Sequence, residues 1–429
     1  MIIFAIFSAS VLAVILFWAA YHVYILIAGV RSKSKHLYTQ LSEFPKFSLI
    51  VPAKDESLVV GRCLNALLSL DYPKEKMEII VVDGNSKDAT RTISSELSAK
   101  YPDSIKIIRE SNSQGKPTAL NLALPHVTGE IVGVFDADCV PEQDTLRKIA
   151  SYFNDQSVEA VQGNARSLNE KRNMLTRIAS IEEKAWFQGL LTGREKLKLF
   201  IPLTGSCQFI RSKVLRELGG WDETALTEDV ELALRLVEKD RLIKYAPDVC
   251  SWQETPSSLG DLVRQRCRWY RGYMEAAFKY GRLLDKINKR TVDAEIALFD
   301  PFMMILCLIS YINLAINILF FPQMSSLLFF APVVVALTTV SLLSVGVALV
   351  FRERPITIKS ILWMPFIYLY WLIQVCIAGW AFLQIVFRRR RVWRKTIKKG
   401  FTSELPPICY NVEEDAMVEK CVLLGAANR

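Results

Sequence analysis

Long stretches that are almost free of charge dominate the two ends of this chain. They cover residues 2–29, 295–321, 327–351 and 361–387. Each is long enough to cross about 30 Å of hydrocarbon as an α-helix. The residues between them, 44–284, have an ordinary globular composition. We therefore expect an enzyme-sized domain between an N-terminal membrane helix (1–30) and a C-terminal membrane bundle (291–390).

The N-terminal stretch resembles a secretory signal peptide only in part. Its apolar run is longer than that of a signal peptide, no basic residue precedes it, and no clear small-residue cleavage site ends it. A retained membrane helix is therefore the better interpretation. Arg31, Lys33 and Lys35 follow the helix, and such basic residues stay on the cytosolic side of membranes. This predicts that the middle domain lies in the cytosol.

The C-terminal stretches present a topological conflict. Three crossings would place the basic cluster Arg388–Arg391 on the outer side, against the rule that basic residues stay inside. Either the last segment re-enters the membrane, or one stretch lies in the membrane interface. Pro365, Glu295 and Asp300 are the candidate positions for a break. The sequence leaves this choice open.

The net charge of +9 is concentrated after the last apolar stretch. The basic residues there are Arg388–Arg391, Arg394, Lys395, Lys398 and Lys399. A basic run directly beside a membrane helix is typical of binding to anionic lipid headgroups. Since no nucleic-acid-binding motif accompanies the run, we expect no nucleic-acid partner. Residues 391–429 form a basic and then mixed tail.

The middle of the chain alternates short apolar strands with helices. We predict strands that begin the segments Phe47–Glu56, Met77–Thr90, Ile105–Ile108 and Ile131–Val140. The helix after the first strand should turn four residues inward: Leu58, Cys63, Leu67 and Leu70. Another helix follows Gly115-Lys116-Pro117, because Pro suits the first helical turn. This alternation predicts an α/β domain with a mostly parallel sheet.

Acidic residues stand where three of these four predicted strands end. They are Asp55 and Glu56, then Asp83, then Asp136 and Asp138. Ligands of open α/β sheets bind at the carboxyl ends of strands, so these acids should line one site. Asp136 and Asp138 repel each other unless a cation lies between them, which predicts a metal–diphosphate site. A strand followed by an ordinary polar turn is the alternative.

Three further segments offer polar groups to such a site. Lys116 stands at a helix start, where an ammonium and helix amides can bind phosphate together, although a solvated loop lysine is an equal alternative. Thr227–Asp229 precedes a predicted helix, Val230–Glu238, and could equally be its N-cap and first-turn acids. Leu203–Cys207 is a small-residue turn before a predicted strand, Gln208–Arg211.

The segment Ser257–Gly272 is predicted to form an amphipathic, basic helix. Gln265, Arg268 and Trp269 fall at i, i+3 and i+4, so they share one face. An amide, a fixed cation and a flat aromatic ring suit a pyrophosphate and a sugar. The alternative is a helix that lies on the membrane surface. We assign residues 256–290 to such interface helices.

Taken together, these motifs resemble those of the membrane-integrated, processive family 2 glycosyltransferases. This family includes the synthases of cellulose, chitin, hyaluronan and poly-N-acetylglucosamine. The resemblance covers about residues 45–285 and rests on four motifs in order: Asp83, Asp136-Ala137-Asp138, Thr227-Glu228-Asp229 and Gln265-Arg266-Cys267-Arg268-Trp269. It implies a cytosolic GT-A domain, residues 44–255, that is Rossmann-like and has a mixed, mostly parallel sheet.

The resemblance also implies roles for individual residues. Donor-binding residues would be Asp55, Glu56 and Asp83 for the uracil and ribose, and Lys116 and Asp136 for the diphosphate. The metal, Mg²⁺ or Mn²⁺, would be held by Asp138 with Asp136 beside it. The catalytic residues would be the general base Asp229 and its neighbour Glu228. The leaving diphosphate and the acceptor would be held by Gln265, Arg268 and Trp269, near the turn Gly205, Ser206 and Cys207.

The implied activity is an inverting transfer from a UDP-sugar that extends a β-linked polysaccharide at the cytosolic face of the plasma membrane. One base and direct attack suffice for inversion, without a carboxylate nucleophile. The partners would be the UDP-sugar, a glycan or lipid-linked acceptor, and membrane lipids. Export of the product is left open. Two alternatives remain: transfer of one sugar to a lipid carrier, such as polyprenyl phosphate or a glycolipid, and a non-catalytic transporter or scaffold.

Overall fold

The structure of the protein is a computed structural model that describes residues 2–32, 43–111, 113–281, 287–320, 364–391 and 395–401. The predicted membrane stretch 327–351 and the tail after residue 401 lie outside the described residues. Within them, an α/β domain is flanked by long apolar helices.

An eight-stranded mixed sheet forms the centre of the domain. In chain order its strands are β1 Phe47–Ala53, β2 Met77–Asp83, β3 Ile105–Arg109, β4 Ile131–Val134, β5 Val140–Pro141, β6 Val158–Ser167, β7 Gln208–Arg211 and β8 Leu242–Gln253. Their spatial order is β3-β2-β1-β4-β7-β6-β8-β5. β3, β2, β1 and β4 run parallel, as predicted, whereas β7 pairs antiparallel with both β4 and β6. The sheet is therefore mixed, and its parallel half carries the predicted strand-end acids.

Helices cover both faces of the sheet and extend from its two ends. In chain order they are α1 Ile2–Val30, α2 Val60–Leu68, α3 Thr90–Lys100, α4 Lys116–Ala123, α5 Thr145–Tyr152, α6 Met174–Lys184, α7 Thr192–Leu197, α8 Ser212–Glu217, α9 Glu228–Glu238, α10 Leu259–Tyr280, α11 Lys289–Phe320 and α12 Met364–Val386. A π-helical segment, Ala185–Leu191, joins α6 to α7. Short 3₁₀ helices lie at Lys74–Lys76 and Leu124–His126.

Two hydrophobic layers hold these helices on the sheet. Successive residues of a strand point to opposite faces, so Leu49 and Ile50 of β1 belong to different layers. Ile50 shares its layer with Leu120 of α4 and Leu234 of α9. Leu49 shares the other layer with Leu64 of α2. Strands that are buried on both faces read as continuous apolar runs, which is why they could be predicted.

The predicted inward face of the first domain helix is correct at three positions and wrong at one. Cys63, Leu67 and Leu70 are buried, but Leu58 is 67% exposed. The physical reason is that α2 begins only at Val60, so Leu58 lies in the preceding turn.

Two of the described helices are long and apolar enough to cross a membrane, judged by length and composition. Their candidate spans are Ala13–Val30 in α1 and Pro365–Val386 in α12. α11 runs without interruption through Glu295 and Asp300, so the break predicted at these acids is wrong. Pro365 is the second described residue of α12, and the residues before Met364 lie outside the described part of the chain, so a break at Pro365 stays a prediction.

α1 packs tightly against the α/β domain and α11. A Cβ added to Gly29 would lie 1.9 Å from the carbonyl oxygen of Gly189, so only glycine allows this approach. Tyr21 donates a hydrogen bond of 2.5 Å to Asp293, and Trp18 donates one of 2.8 Å to Asp300. Small residues and interhelical hydrogen bonds are the usual means of fixing apolar helices to one another.

Candidate active site

The acids predicted at the strand ends lie along one edge of the sheet. Because β1, β2 and β4 are parallel neighbours, Asp55, Asp83 and Asp136 follow their carboxyl ends at the same edge. The first two turns are tied together: the Asp55 N–H donates to Ser86 Oγ at 3.0 Å, and the Lys87 N–H donates to the Asp55 carboxylate at 2.7 Å. The turns after β1 and β2, which are about 30 residues apart in the sequence, are therefore in direct contact at this edge.

Lys116 joins the Asp136 turn to the small-residue turn. Its ammonium donates to Asp136 Oδ1 at 2.5 Å and to the Gly205 carbonyl oxygen at 2.7 Å, and Glu228 Oε1 is 3.8 Å away. Burial lowers the pKa of Lys116, but the neighbouring carboxylates outweigh it and raise that pKa above its ordinary value. Lys116 is therefore a buried, fixed cation and not the solvated loop lysine of the alternative interpretation.

Asp229 faces the same small-residue turn from α9. Gly205 has a φ of +81°, and a Cβ added there would lie 3.0 Å from Asp229 Oδ2 and 3.2 Å from Lys116 Nζ. Burial and then Glu228 raise the pKa of Asp229 well above its ordinary value, although Lys116 and Arg268 lower it. A carboxyl group in this state can accept a proton near neutral pH.

The turn before α9 is held by packing and not by a side-chain cap. Thr227 makes no capping bond to any residue that the structure describes. Its side chain packs on α10 instead, where a Cβ added to Gly272 would lie 2.5 Å from Thr227 Cγ2. Thr227 is nevertheless the N-cap residue of α9, and Glu228 and Asp229 are its first-turn acids, as the alternative interpretation has it. Packing fixes the turn that carries Asp229 to α10.

Asp83 is buried at the end of β2 and accepts two hydrogen bonds. Arg91 Nε donates to it at 2.8 Å and the Ser86 N–H at 3.1 Å. Burial raises the pKa of Asp83, but these hydrogen bonds outweigh it and bring that pKa below its ordinary value. Asp83 is therefore an ionised acceptor at neutral pH.

Residues 395–401, which we name the basic strap, lie across the same edge of the sheet. Lys398 Nζ is 2.7 Å from Asp138 Oδ2, and Lys395 Nζ is 3.2 Å from Glu56 Oε1. Lys395 also donates at 2.7 Å to the carbonyl oxygen of Lys54, which is 341 residues earlier in the chain. The prediction that these two lysines contact lipid headgroups is therefore wrong, because the chain folds back onto the strand-end acids.

Glu254, which follows β8, anchors the basic strap. Its buried carboxylate accepts hydrogen bonds from the N–H groups of Lys399 and Phe401, each at 2.8 Å, and from Arg62 at 3.3 Å. The N–H of Glu254 donates to Asp138 at 2.8 Å. Sequence reasoning missed both Glu254 and the basic strap, since neither belongs to a motif that indicates its partner.

The face predicted for α10 is present in the structure. Gln265, Arg268 and Trp269 are all half-buried on this helix. Arg268 donates at 2.9 Å to the carbonyl oxygen of Leu226, beside the turn that carries Asp229. The ring of Trp269 is backed by Arg266, whose guanidinium carbon lies 4.2 Å from the ring centroid.

Ser206 and Cys207 of the small-residue turn are both buried, at 3% and 0% exposure. Ser206 Oγ accepts a hydrogen bond of 3.1 Å from the Asp136 N–H. Cys207 is fully buried, and its Sγ would lie 2.5 Å from a Cβ added to Gly163. Because the Cys207 side chain lies beneath the turn, the predicted acceptor contact is wrong for its thiol.

The predicted metal ligands suit a site that is shared with a substrate. Among the described residues, no group of three or more His, Cys, Asp and Glu side chains could hold an ion alone. Mg²⁺ usually takes one or two carboxylates and completes its shell with substrate phosphates and water. Asp138 is 2% exposed and faces the Lys398 ammonium, so positive charge is favoured there. Asp136 is paired with Lys116 and Asp138 with Lys398, so a divalent ion here would share these two carboxylates with the ammonium groups and take its other ligands from a diphosphate.

Comparison with known proteins points to sugar transfer. The family described as "Glycosyltransferase like family 2" matches residues 45–272. The chain is 33% identical over 301 residues to the probable glycosyltransferase YdaM of Bacillus subtilis, covering 66% of this chain and 68% of that protein. It is 34% identical over 245 residues to a beta-monoglucosyldiacylglycerol synthase of Synechocystis, covering 56% of this chain but only half, 50%, of that protein. It is 26% identical over 358 residues to the poly-beta-1,6-N-acetyl-D-glucosamine synthase of Staphylococcus epidermidis, covering 80% and 84%.

The fold is also found among solved structures. The mannosyltransferase PcManGT of Pyrobaculum calidifontis, in complex with GDP-Man and Mn²⁺, superposes with a TM-score of 0.60 at 20% identity and covers 89% of this chain and 99% of its own. This confirms the GT-A fold that the sequence predicts. The family match spans more than half of the chain, residues 45–272. The chain therefore belongs to glycosyltransferase family 2 and is a hexosyltransferase with a GT-A fold.

Proposed function

We propose that this chain is an inverting glycosyltransferase that uses a UDP-sugar to extend a β-linked glycan at the cytosolic face of a membrane. One observation carries the proposal. The Lys116 ammonium bonds Asp136 at 2.5 Å and the Gly205 carbonyl at 2.7 Å, and a Cβ added to Gly205 would lie 3.0 Å from Asp229 Oδ2. A cation for the leaving group and a base for the acceptor thus meet at one turn.

Asp229 acts as the general base in this proposal. A sugar hydroxyl is a poor nucleophile, and a carboxylate whose pKa is raised towards neutrality removes its proton as the new bond forms. The carboxylate of Glu228 beside it supports that raised pKa. A single base and direct attack invert the anomeric carbon, so an α-linked donor gives a β-linked product.

The nucleoside lies over the turns after β1 and β2. Asp55, Glu56 and Asp83 surround this place, and the ionised Asp83 carboxylate can accept a hydrogen bond from a base N–H. Uracil offers such a donor at its ring nitrogen. Guanine offers one as well, so the choice of a uridine nucleotide rests on the resemblance to the UDP-sugar synthases and is tested by the GDP-mannose control below.

Fixed cations stabilise the leaving diphosphate. Lys116 and Arg268 approach from α4 and α10, and Lys395 and Lys398 of the basic strap bring two more cations to the same edge. Charges that are already in place where negative charge develops stabilise the transition state without reorganisation.

Asp138, with Asp136 beside it, would hold Mg²⁺ or Mn²⁺ together with the diphosphate. When bound, the ion supplies Lewis-acid neutralisation of charge on the phosphate oxygens. Lys398 pairs with Asp138 at 2.7 Å, so a divalent ion would share this carboxylate with the ammonium or displace it. The presence of Mn²⁺ in PcManGT is consistent with such an ion.

We further propose that α1 and α12 span the membrane and that the GT-A domain, residues 44–255, lies in the cytosol. The candidate spans Ala13–Val30 and Pro365–Val386 support this arrangement. Residues 256–290 then form the interface region, and 291–390 the membrane bundle.

Glycan extension is favoured over transfer of a single sugar by the extent of the resemblance. The likeness to the poly-N-acetylglucosamine synthase runs through 84% of that protein, whereas the glucosyldiacylglycerol synthase is matched over 50% of its length. Transfer of one sugar to a lipid is the second candidate, because the glycolipid synthase is the more identical of the two, at 34% against 26%.

Product analysis tests the proposal. Purified full chain in nanodiscs of bacterial lipid is given radiolabelled UDP-glucose, UDP-N-acetylglucosamine or UDP-galactose, with GDP-mannose as the non-uridine control. We expect label from one UDP-sugar in a product that resists lipid extraction and that a β-specific glycosidase degrades. Label in the lipid extract would favour the second candidate. An α-linked product would contradict inversion.

A further inference from the structure

A buried polar cluster joins α6, α10 and α12 behind the α10 face that carries Trp269. Glu182 of α6 accepts hydrogen bonds from Arg266 of α10 at 2.5 Å, and from Tyr370 at 2.7 Å and Gln374 at 2.9 Å, both on α12. Tyr270 of α10 donates to Gln374 at 2.6 Å. Both carboxylate oxygens of Glu182 are thus engaged, and three helices meet at one side chain.

Arg266 connects this cluster to Trp269. Its guanidinium carbon lies 4.2 Å from the centroid of the Trp269 ring, and its side chain is 8% exposed. A guanidinium over an indole face is attracted to the ring and restrains its tilt. A buried cation without a counter-charge is costly, and Glu182 is the carboxylate that pairs directly with Arg266, at 2.5 Å.

We propose that Glu182 is a positioning residue for the acceptor: it fixes Arg266, and Arg266 fixes the ring of Trp269 against which the acceptor sugar packs. The inference rests on the proposed function. Glu182 acts through Arg266 and the Trp269 ring, and not through the strand-end acids. Its loss should therefore reduce transfer to the acceptor but leave donor binding and donor hydrolysis unchanged. A purely structural tie between helices would instead affect both.

The test compares two fates of one labelled donor. Full chain in nanodiscs receives UDP-[¹⁴C]glucose or UDP-[¹⁴C]N-acetylglucosamine, and the ratio of sugar in product to free sugar from hydrolysis is measured. Glu182→Gln keeps the side-chain shape but removes the charge. We expect the ratio to fall by about 10- to 100-fold, since a displacement of about 1 Å can cost 10²-fold in rate. Donor hydrolysis and UDP binding should not change.

Glu170→Gln is the matched control. Glu170 also pairs with basic residues of α6, Lys184 at 2.8 Å and Arg177 at 3.0 Å, but this cluster does not include Arg266. Neutralising it should leave the ratio of transfer to hydrolysis at the wild-type value. An equal fall of the ratio in both variants would overturn the proposal, because removal of any carboxylate charge near α6 would then explain the loss of transfer.

A double variant keeps the test decisive if Glu182→Gln misfolds around an unpaired Arg266. Glu182→Gln with Arg266→Gln removes both members of this ion pair, and we expect the same low ratio because the cation at the Trp269 ring is gone. A wild-type ratio in this folded variant would overturn the inference, as would parallel loss of transfer and hydrolysis. A wild-type chain that neither transfers nor hydrolyses any nucleotide sugar would instead refute the proposed function.

Discussion

Replacing Gly205 with alanine tests the close approach on which the site depends. The added Cβ would lie 3.0 Å from Asp229 Oδ2 and 3.2 Å from Lys116 Nζ. Both distances are shorter than ordinary van der Waals contact, which begins at 3.4 Å. The carboxylate or the ammonium must therefore move by a few tenths of an ångström, and base and cation can no longer hold their present geometry.

Two costs follow from this change. Gly205 has a φ of +81°, and the left-handed backbone conformation destabilises an L-residue such as alanine by about 1–2 kcal/mol. For a domain of this size each kcal/mol lowers Tm by roughly 2–4 °C. Since a misplacement of about 1 Å can cost 10²-fold in rate, a few tenths of an ångström should cost on the order of 10-fold in transfer.

Gly219→Ala is the matched control for backbone strain. Gly219 has a φ of +76°, and an added Cβ would meet nothing within 4 Å among the described residues. Thermal unfolding should therefore show similar losses of stability in both variants, while radiolabelled sugar transfer should fall only in Gly205→Ala. Equal transfer by the two variants would refute the inferred proximity of Asp229 and Lys116.

The remaining predictions concern single groups of the site. Asp229→Asn should abolish transfer while calorimetry still detects UDP binding, and retained turnover would exclude Asp229 as the base. In the wild type, transfer should be lost as pH falls through the raised pKa of Asp229, because the protonated form cannot accept a proton; a rate that stays constant down to the range of an ordinary aspartate would contradict this. EDTA should stop transfer and Mn²⁺ restore it, whereas insensitivity to EDTA would exclude a metal role for Asp138. Lys398→Met should weaken UDP binding, but Lys399→Met should not, since the site uses only the Lys399 backbone N–H.

The parallel half of the fold could be predicted because its signals are local. β1, β2 and β4 are short apolar runs that end in polar turns, and their burial follows from that composition. The other half could not be derived in the same way. β6 and β8 are long strands with mixed polar and apolar residues, and they pair through register shifts. Their order in the sheet depends on contacts between distant segments.

The site likewise contains features that are local in the sequence and features that depend on distant segments. Acids at strand ends and the i, i+3, i+4 spacing on α10 are local features, so their convergence could be anticipated. The basic strap could not, because a run of lysines after an apolar helix has the same composition whether it contacts lipid or carboxylates. Only the fold brings Lys395 to Lys54, 341 residues away. Cys207 was misjudged for a related reason: sequence does not tell which side of a turn is buried.

The basic strap also bears on the conflict between the apolar stretches and the rule for basic residues. Its lysines contact Glu56 and Asp138. In the membrane arrangement that we propose, the C-terminal end of α12 therefore lies on the same side as the domain. α11 begins just after α10, on that side as well. We infer that the chain crosses the membrane an even number of times between these points, so the three predicted stretches cannot all be separate crossings. Arg388–Arg391 then stays on the side of the domain, in agreement with the proposed cytosolic location and the rule for basic residues.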